Sequence, residues 1–199
     1  MSESSQVFRH VIAALVTNEP GVLAHVAGMF AARGFNIDSL VVGRTEVRDL
    51  SRMTIVVTGD RAVLDQVRKQ LQKLVPVVKV VDYSDVAYVE RDMILASVST
   101  RSDAGPADKR EELATLAALF GAKVVDVAPD RMMIELAGSE DKLESFVELL
   151  TPYGLLELAR TGVIAMPRGS TTARARGPHA VAVESGSGST IDDSELPPG

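Results

Sequence analysis

The chain has 199 residues and a formal net charge of −6 from 21 Lys and Arg against 27 Asp and Glu; the basic residues are dispersed rather than gathered into the stripe that nucleic-acid binding needs. It has no cysteine, which excludes disulfides, thiolate metal sites and cysteine nucleophiles. Aromatic residues are only 4% against 46% apolar residues overall, so the core has to be aliphatic. No run approaches the ~20 apolar residues that span a bilayer. The N-terminal stretch also lacks the basic leader and apolar length of a signal peptide. A cytoplasmic protein with neither nucleic acid nor membrane as partner is expected.

The first element is a strand, "FRHVIAALVT" at residues 8–17, rich in apolar and β-branched side chains. The turn Asn18-Glu19-Pro20-Gly21 leads into a helix beginning around Pro20, with Val22, Val26, Met29 and Phe30 on one face. Gly34 is a natural stop, because glycine adopts a left-handed conformation at little cost. "FNIDSLVVGRTE" and "LSRMTIVVTGD" then predict two strands joined by a charged turn at Glu46–Asp49. A second helix over residues 61–74 buries Val63, Leu64, Val67, Leu71 and Leu74 and exposes Asp65, Arg68, Lys69 and Lys73. "PVVKVVDYSD" closes the unit as a strand whose leading Pro76 cannot donate a ladder bond.

The order β-α-β-β-α-β is the split ferredoxin-like arrangement, and it recurs. "VAYVERDMILASVST" is a strand, and residues 107–120 a helix burying Leu113, Leu116, Ala117 and Phe120, stopped by Gly121. "AKVVDVAP" and "RMMIELAG" form a strand pair. Ser139 caps a helix with Leu143, Phe146, Val147 and Leu150 inside, and "GLLELARTGVIAM" is the closing strand. The fold class is α+β: two tandem ferredoxin-like βαββαβ domains, residues 8–85 and 86–168, followed by a tail at 169–199. That tail is poor in large apolar groups and expected to be disordered. Its "ARARG" reads as a solvated stretch.

Catalytic constellations are thin. His10, His25 and His179 are scattered, without metal-ligand spacing, and Asp82, Asp85 and Asp126 read as turn or edge residues. No Walker-type loop occurs, and the "GSGS" at 186–189 follows no strand. No catalytic residue and no metal ligand is assigned; Asp38 or His25 would have to carry any enzyme reading. The turn at residues 18–21 offers a binding site instead. At a helix start the N–H groups of Gly21, Val22 and Leu23 lack intrahelical acceptors, and a carboxylate docking there gains those donors and the positive end of the helix dipole. Gly21 lets a ligand approach the backbone, and the Asn18 amide can donate to a carboxylate or accept from an ammonium. Asn36, beyond the helix, reaches the same ligand only across a symmetric dimer interface. The alternative is that these residues are turn chemistry alone. A Gly34-to-Gly121 offset of 87 places Asn18 on Gly105, Gly21 on Asp108 and Asn36 on Lys123, so the second unit repeats none of the three.

The blocks "N-E-x-G-x-L" (Asn18–Leu23), "RGFNIDSL" and "SRMTI", with "VERDMIL", "VVDVAP", "LAGSEDKLESF" and "YGLLELARTGV" further on, resemble the regulatory small subunits of acetolactate synthase, also called acetohydroxyacid synthase. The resemblance covers roughly residues 8–169. It implies an N-terminal ACT domain, an amino-acid-sensing ferredoxin-like module, followed by an ACT-like C-terminal domain. It implies no cofactor in this chain and no synthase activity of its own. The partner would be a larger catalytic subunit carrying thiamine diphosphate, Mg²⁺ and FAD. The small subunit would activate that partner and make it sensitive to valine or another branched-chain amino acid. Two ACT domains would pair as a homodimer, with Asn18, Gly21, Val22 and Leu23 of one copy and Asn36 and Ile37 of the other around the effector. The other functional expectation is a stand-alone amino-acid-responsive ACT regulator of another enzyme or a transcription complex.

Overall fold

The computed structural model describes residues 8–101 and 109–169; the expected tail and the "ARARG" stretch lie, from residue 170 on, outside the described residues. Thirteen elements are assigned among the described residues. The first unit holds β1 (Phe8–Thr17), α1 (Val22–Ala31), β2 (Ser39–Arg44), β3 (Leu50–Gly59), α2 (Arg61–Leu71) and β4 (Val77–Asp82). The second holds β5 (Tyr88–Ser99), α3 (Arg110–Phe120), β6 (Lys123–Val127), β7 (Arg131–Gly138), α4 (Glu140–Gly154) and β8 (Leu155–Arg160), followed by β9 (Ile164–Pro167). By compactness the first unit runs to Val89 and resumes at Ala165, and the second is Glu90–Ile164.

The two four-strand cores have the same order, β2-β3-β1-β4 and β6-β7-β5-β8, with antiparallel pairs throughout. The tandem ferredoxin-like α+β fold is therefore present twice. Each helix pair covers one face of its sheet. In the first unit Val22, Val26, Met29 and Phe30 of α1 and Leu64, Val67 and Leu71 of α2 pack on Ile12, Ala14, Val16, Met53, Ile55 and Val57. In the second, Leu113 and Ala117 of α3 and Leu143, Phe146 and Leu150 of α4 pack on Ile94, Ala96, Val98, Met132, Ile134 and Leu136. The alternate strand residues that reach these cores follow the twofold side-chain period of a pleated strand. Among the described residues no helix is long and apolar enough to cross a membrane.

Four local expectations change. Helix α1 starts at Val22, not Pro20: Gly21, at φ 88°, is its N-cap, so the left-handed turn rather than the proline sets the boundary. Arg68 is not fully exposed, since it is drawn along α2 by Asp65 at 3.1 Å. Ser139 occupies the N-cap of α4 but makes no side-chain capping bond; Glu140 and Asp141 still place negative charge at the positive helix end. The last stretch is not one strand. It breaks at Gly162, φ 86°, into β8 and β9, and β9 carries Ala165 back to the first unit. There the Ala165 carbonyl accepts from Arg52 Nη2 at 3.0 Å and from the Tyr83 hydroxyl at 3.3 Å.

Candidate functional site

The end of β1 builds one half of the site. Asn18 leaves the sheet with its N–H donating to the Asp49 carbonyl at 2.8 Å. Its side-chain oxygen accepts from Ser51 Oγ at 3.1 Å, which orients the amide and leaves its NH₂ group as a donor. Gly21 then turns the chain into α1, where the first intrahelical bond runs from the His25 N–H to the Gly21 carbonyl at 3.0 Å. The N–H groups of Gly21, Val22, Leu23 and Ala24 precede that bond and have no acceptor four residues back; Ala24 is the one that the sequence reading missed. No side chain caps this helix and no acidic residue sits in its first turn. By contrast, Asp60 caps α2 by accepting from the Val63 N–H at 2.9 Å. A Cβ at Gly21 would meet nothing within 4 Å, so the approach to these amides is open. Val22 sends its side chain into the core and offers only backbone, whereas Leu23 is 47% exposed beside the turn.

The other half lies past the far end of α1. Gly34, φ 66°, reverses the chain, and the Phe35 N–H closes onto the Phe30 carbonyl at 3.1 Å. Asn36 is exposed and its Nδ2 donates to Asp38 Oδ1 at 2.8 Å, which leaves its amide oxygen as an acceptor. Ile37 packs partly against the first core. The two asparagines are thus held in opposite senses. Asn18 presents N–H, which suits a carboxylate, and Asn36 presents oxygen, which suits an ammonium. Ser51 and Asp38 set these orientations, a role that the sequence did not assign to either, although Asp38 two residues after Asn36 was the available signal.

These halves do not meet within one chain. Asn18 sits beside Asp49 at the head of β3, and Asp38 beside Val56, whose carbonyl accepts from the Asp38 N–H at 2.9 Å. Seven residue steps along the strand lead from Asp49 to Val56, about 24 Å at the extended rise. That is several times the length of a small amino acid. Between the two ends runs β2, the edge strand of the sheet, from Ser39 opposite Val56 to Arg44 opposite Ser51.

Among the described residues the second unit repeats neither asparagine. Thr17 opposite Leu50 corresponds to Ser99 opposite Arg131, and the Thr100 N–H donates to the Asp130 carbonyl at 3.0 Å as Asn18 does to Asp49. The counterpart of Asn18 is therefore Thr100 and not Gly105, because the connection from β5 to α3 is longer than that from β1 to α1. Asn36 has no counterpart. Lys123 is already a strand residue opposite Glu135, the register of Val41 opposite Thr54, since β6 starts almost at once after Gly121.

The remaining candidates are structural. Asp82 accepts from the Ser84 N–H at 2.9 Å and Asp85 faces Arg61 at 3.5 Å. Buried His10 lies 3.1 Å from the Gly59 carbonyl. Among the described residues no three His, Asp or Glu side chains cluster as a metal site would require.

Comparison with known proteins bears on the chain as a whole. Residues 12–79 match the family model for the AHAS small subunit-like ACT domain, and residues 91–169 match that for the small subunit of acetolactate synthase. A probable acetolactate synthase small subunit of Archaeoglobus fulgidus is 51% identical over 162 residues, 81% of this chain and 98% of the relative. The acetolactate synthase small subunit of Aquifex aeolicus is 47% identical over 82% of this chain and 83% of the relative. The crystal structure of the acetolactate synthase small subunit from Thermotoga maritima superposes with a TM-score of 0.73 at 40% identity, covering 81% of this chain and 98% of that one.

The chain belongs to the acetolactate synthase small-subunit family. The ACT-domain match coincides with the unit that carries Asn18, Gly21 and Asn36, and the second match with the unit where Thr100 stands for Asn18 and Asn36 has no equivalent. In this small-subunit chain the fold thus occurs twice, with Asn18 and Asn36 flanking the first helix of the first unit alone.

Proposed function

We propose that this chain is the regulatory, non-catalytic subunit of an acetolactate synthase in branched-chain amino acid biosynthesis. It activates a larger catalytic subunit and confers feedback inhibition by valine or another branched-chain amino acid bound between two ACT domains. One observation carries the effector site: an uncapped helix start with a free amide donor at one end of α1, and an oriented amide acceptor at the other end.

A twofold copy resolves the separation. Two β2 edges related by a dyad run antiparallel, so the Asn36 end of one lies beside the Arg44 end of the other, which is the Asn18 end. The effector carboxylate takes the N–H groups of Gly21, Val22 and Leu23 and the Asn18 NH₂ of one copy. Its ammonium takes the Asn36 oxygen of the other. Its branched side chain rests between Leu23 and the second copy's Ile37. Because the ligand bridges the copies, it favours one arrangement of the dimer over another. A coupling of about 1–3 kcal/mol, some 5- to 150-fold, suffices for control, and by linkage the catalytic subunit alters effector affinity by the same factor. Thiamine diphosphate, Mg²⁺ and FAD belong to the catalytic partner in this reading, and this chain supplies none of their ligands.

The test is reconstitution with the catalytic subunit, following acetolactate formation against valine, leucine and isoleucine. Gly21→Asp and Asn36→Ala are expected to keep activation and lose inhibition. Variants that stay inhibited would move the site elsewhere, and a wild-type chain that activates no acetolactate synthase would remove the assignment.

A further inference from the structure

A groove of about 410 Å³ lies on the outer side of α1 and α2, lined by His25, Met29, Arg33, Gln70, Lys73 and Leu74. Its floor is apolar, from Met29 and Leu74, and its rim is basic. Arg33 is held across it, donating to Gln70 Oε1 at 2.8 Å and to the Met29 carbonyl at 3.4 Å. No carboxylate lines the groove, and the one acid of α2, Asp65, is taken by Arg68 at 3.1 Å. In a chain of net charge −6 this is a local excess of positive charge around an oily floor. It suits a short acidic segment with a large apolar residue.

We infer that the groove receives such a segment of the same chain, Ile191–Leu196 (IDDSEL). Asp192, Asp193 and Glu195 provide the charge, Ile191 and Leu196 the apolar contacts, and no Lys or Arg follows Arg176 to neutralise them. The connection has the right reach. Arg168 pins the exit of the chain to the first unit, its N–H donating to the Ala87 carbonyl at 2.9 Å and its Nε to the Tyr88 carbonyl at 3.2 Å. That point lies past the C-terminal end of β4, whereas Lys73 and Leu74 precede its start at Val77. The strand between them is about 20 Å long. About 22 residues separate Gly169 from Ile191, and a random coil of that length has a root-mean-square span of about 26 Å. A tether matched to its span gives a local concentration in the millimolar range, so an individually weak, charge-driven contact is populated. The docked segment clamps α1 onto α2 and is released by salt.

The absence of native cysteine makes the test clean. A nitroxide on Ser189→Cys in the full-length protein should broaden the amide signals of His25, Met29, Arg33 and Lys73 well beyond those of other surface residues. The excess should vanish when Asp192, Asp193 and Glu195 are replaced by Asn, Asn and Gln. It should also vanish in 1 M salt, where the Debye length falls from about 10 Å to about 3 Å. Uniform broadening over the surface, or an excess indifferent to the acid replacements, overturns the proposal. So does an excess seen only when label and isotope are on different copies. The measurement needs neither effector nor catalytic subunit, so it stands or falls apart from the regulatory reading.

Discussion

Mixed dimers of two binding-deficient variants would test the proposed shared effector site most directly. Asn18→Ala removes the NH₂ donor that Ser51 orients through the amide oxygen, and Asn36→Ala removes the oxygen left over once Asp38 has taken the Nδ2 group. In the proposed site each group meets a charged end of the ligand, so each deletion is expected to cost about 1.5–3 kcal/mol, a loss of about 10- to 150-fold in affinity. The two variants bind poorly alone, for different reasons. The stretch of β3 between them, about 24 Å by strand rise, prevents one chain from using both residues on one ligand. In a mixed dimer one interface site therefore combines both defects, while the other is assembled from the intact Asn18 of one chain and the intact Asn36 of the other. With random pairing about a quarter of all sites regain wild-type affinity. Calorimetry on the separate and the co-refolded variants reads this directly, as a high-affinity phase that appears only on mixing. If mixing restores nothing although the dimers exchange, both asparagines serve a site within one chain or serve none.

Three further outcomes follow from the packing. In the second unit buried Asp92 accepts from Arg160 Nε and from Thr161 Oγ1 at 3.0 Å. Losing a buried partner costs about 3–5 kcal/mol, but Arg160 is 33% exposed and keeps Glu144 at 2.6 Å. Asp92→Asn is therefore expected to destabilise by about 2 kcal/mol, lowering the urea midpoint of this unit by about 1–2 M; an unchanged midpoint would deny the pair its role. In the first unit, burial pushes the Tyr83 phenol above its ordinary value, while the neighbouring Arg52 guanidinium pulls it down in part. A tyrosine that holds its proton more tightly when folded contributes stability in full below the unfolded value of about 10, and that contribution is lost as pH rises through the folded value. Stability measured against pH should therefore fall on this alkaline limb, and Tyr83→Phe should flatten it. Finally, two glycines near α1 should respond with opposite signs. Gly21→Ala forces a side chain onto φ 88° at about 1–2 kcal/mol, whereas Gly28→Ala fills open space inside the helix and gains about 0.5–1 kcal/mol. Thermal unfolding of the two variants distinguishes them.

Much of the fold is legible in the residues because its causes are local. The run from Val11 to Val16, apolar and buried throughout, had to be a central strand. The 3.6-residue spacing of Leu64, Val67 and Leu71 had to be a helix laid on a sheet. Gly121 was readable as a stop because only glycine adopts φ 66° cheaply there. The residues of the proposed half-sites were legible for the same reason: an Asn before a Pro-Gly turn and a Gly-x-Asn exit are short-range patterns, and the unpaired N–H groups of the helix between them follow from hydrogen-bond counting.

What the sequence determined by itself is thus the identity of the pieces: the two βαββαβ repeats, the aliphatic cores, a helix after the turn at residues 18–21 and the two asparagines flanking it. Only the tertiary structure decided how the pieces face one another. Strand pairing, a non-local choice, put Asn18 beside Ser51 and carried the Asn36–Asp38 pair to the opposite end of β3, and so fixed which end of the Asn18 amide is free and how far apart the two asparagines lie. It also moved the counterpart of Asn18 to Thr100, split the last strand at Gly162, and gathered His25, Arg33 and Lys73 around one groove. Hydrophobic period and turn chemistry act over a few residues and are written in the chain. Register, amide orientation and the meeting of charges from separate helices depend on contacts between distant residues, and exist only once the chain has closed on itself.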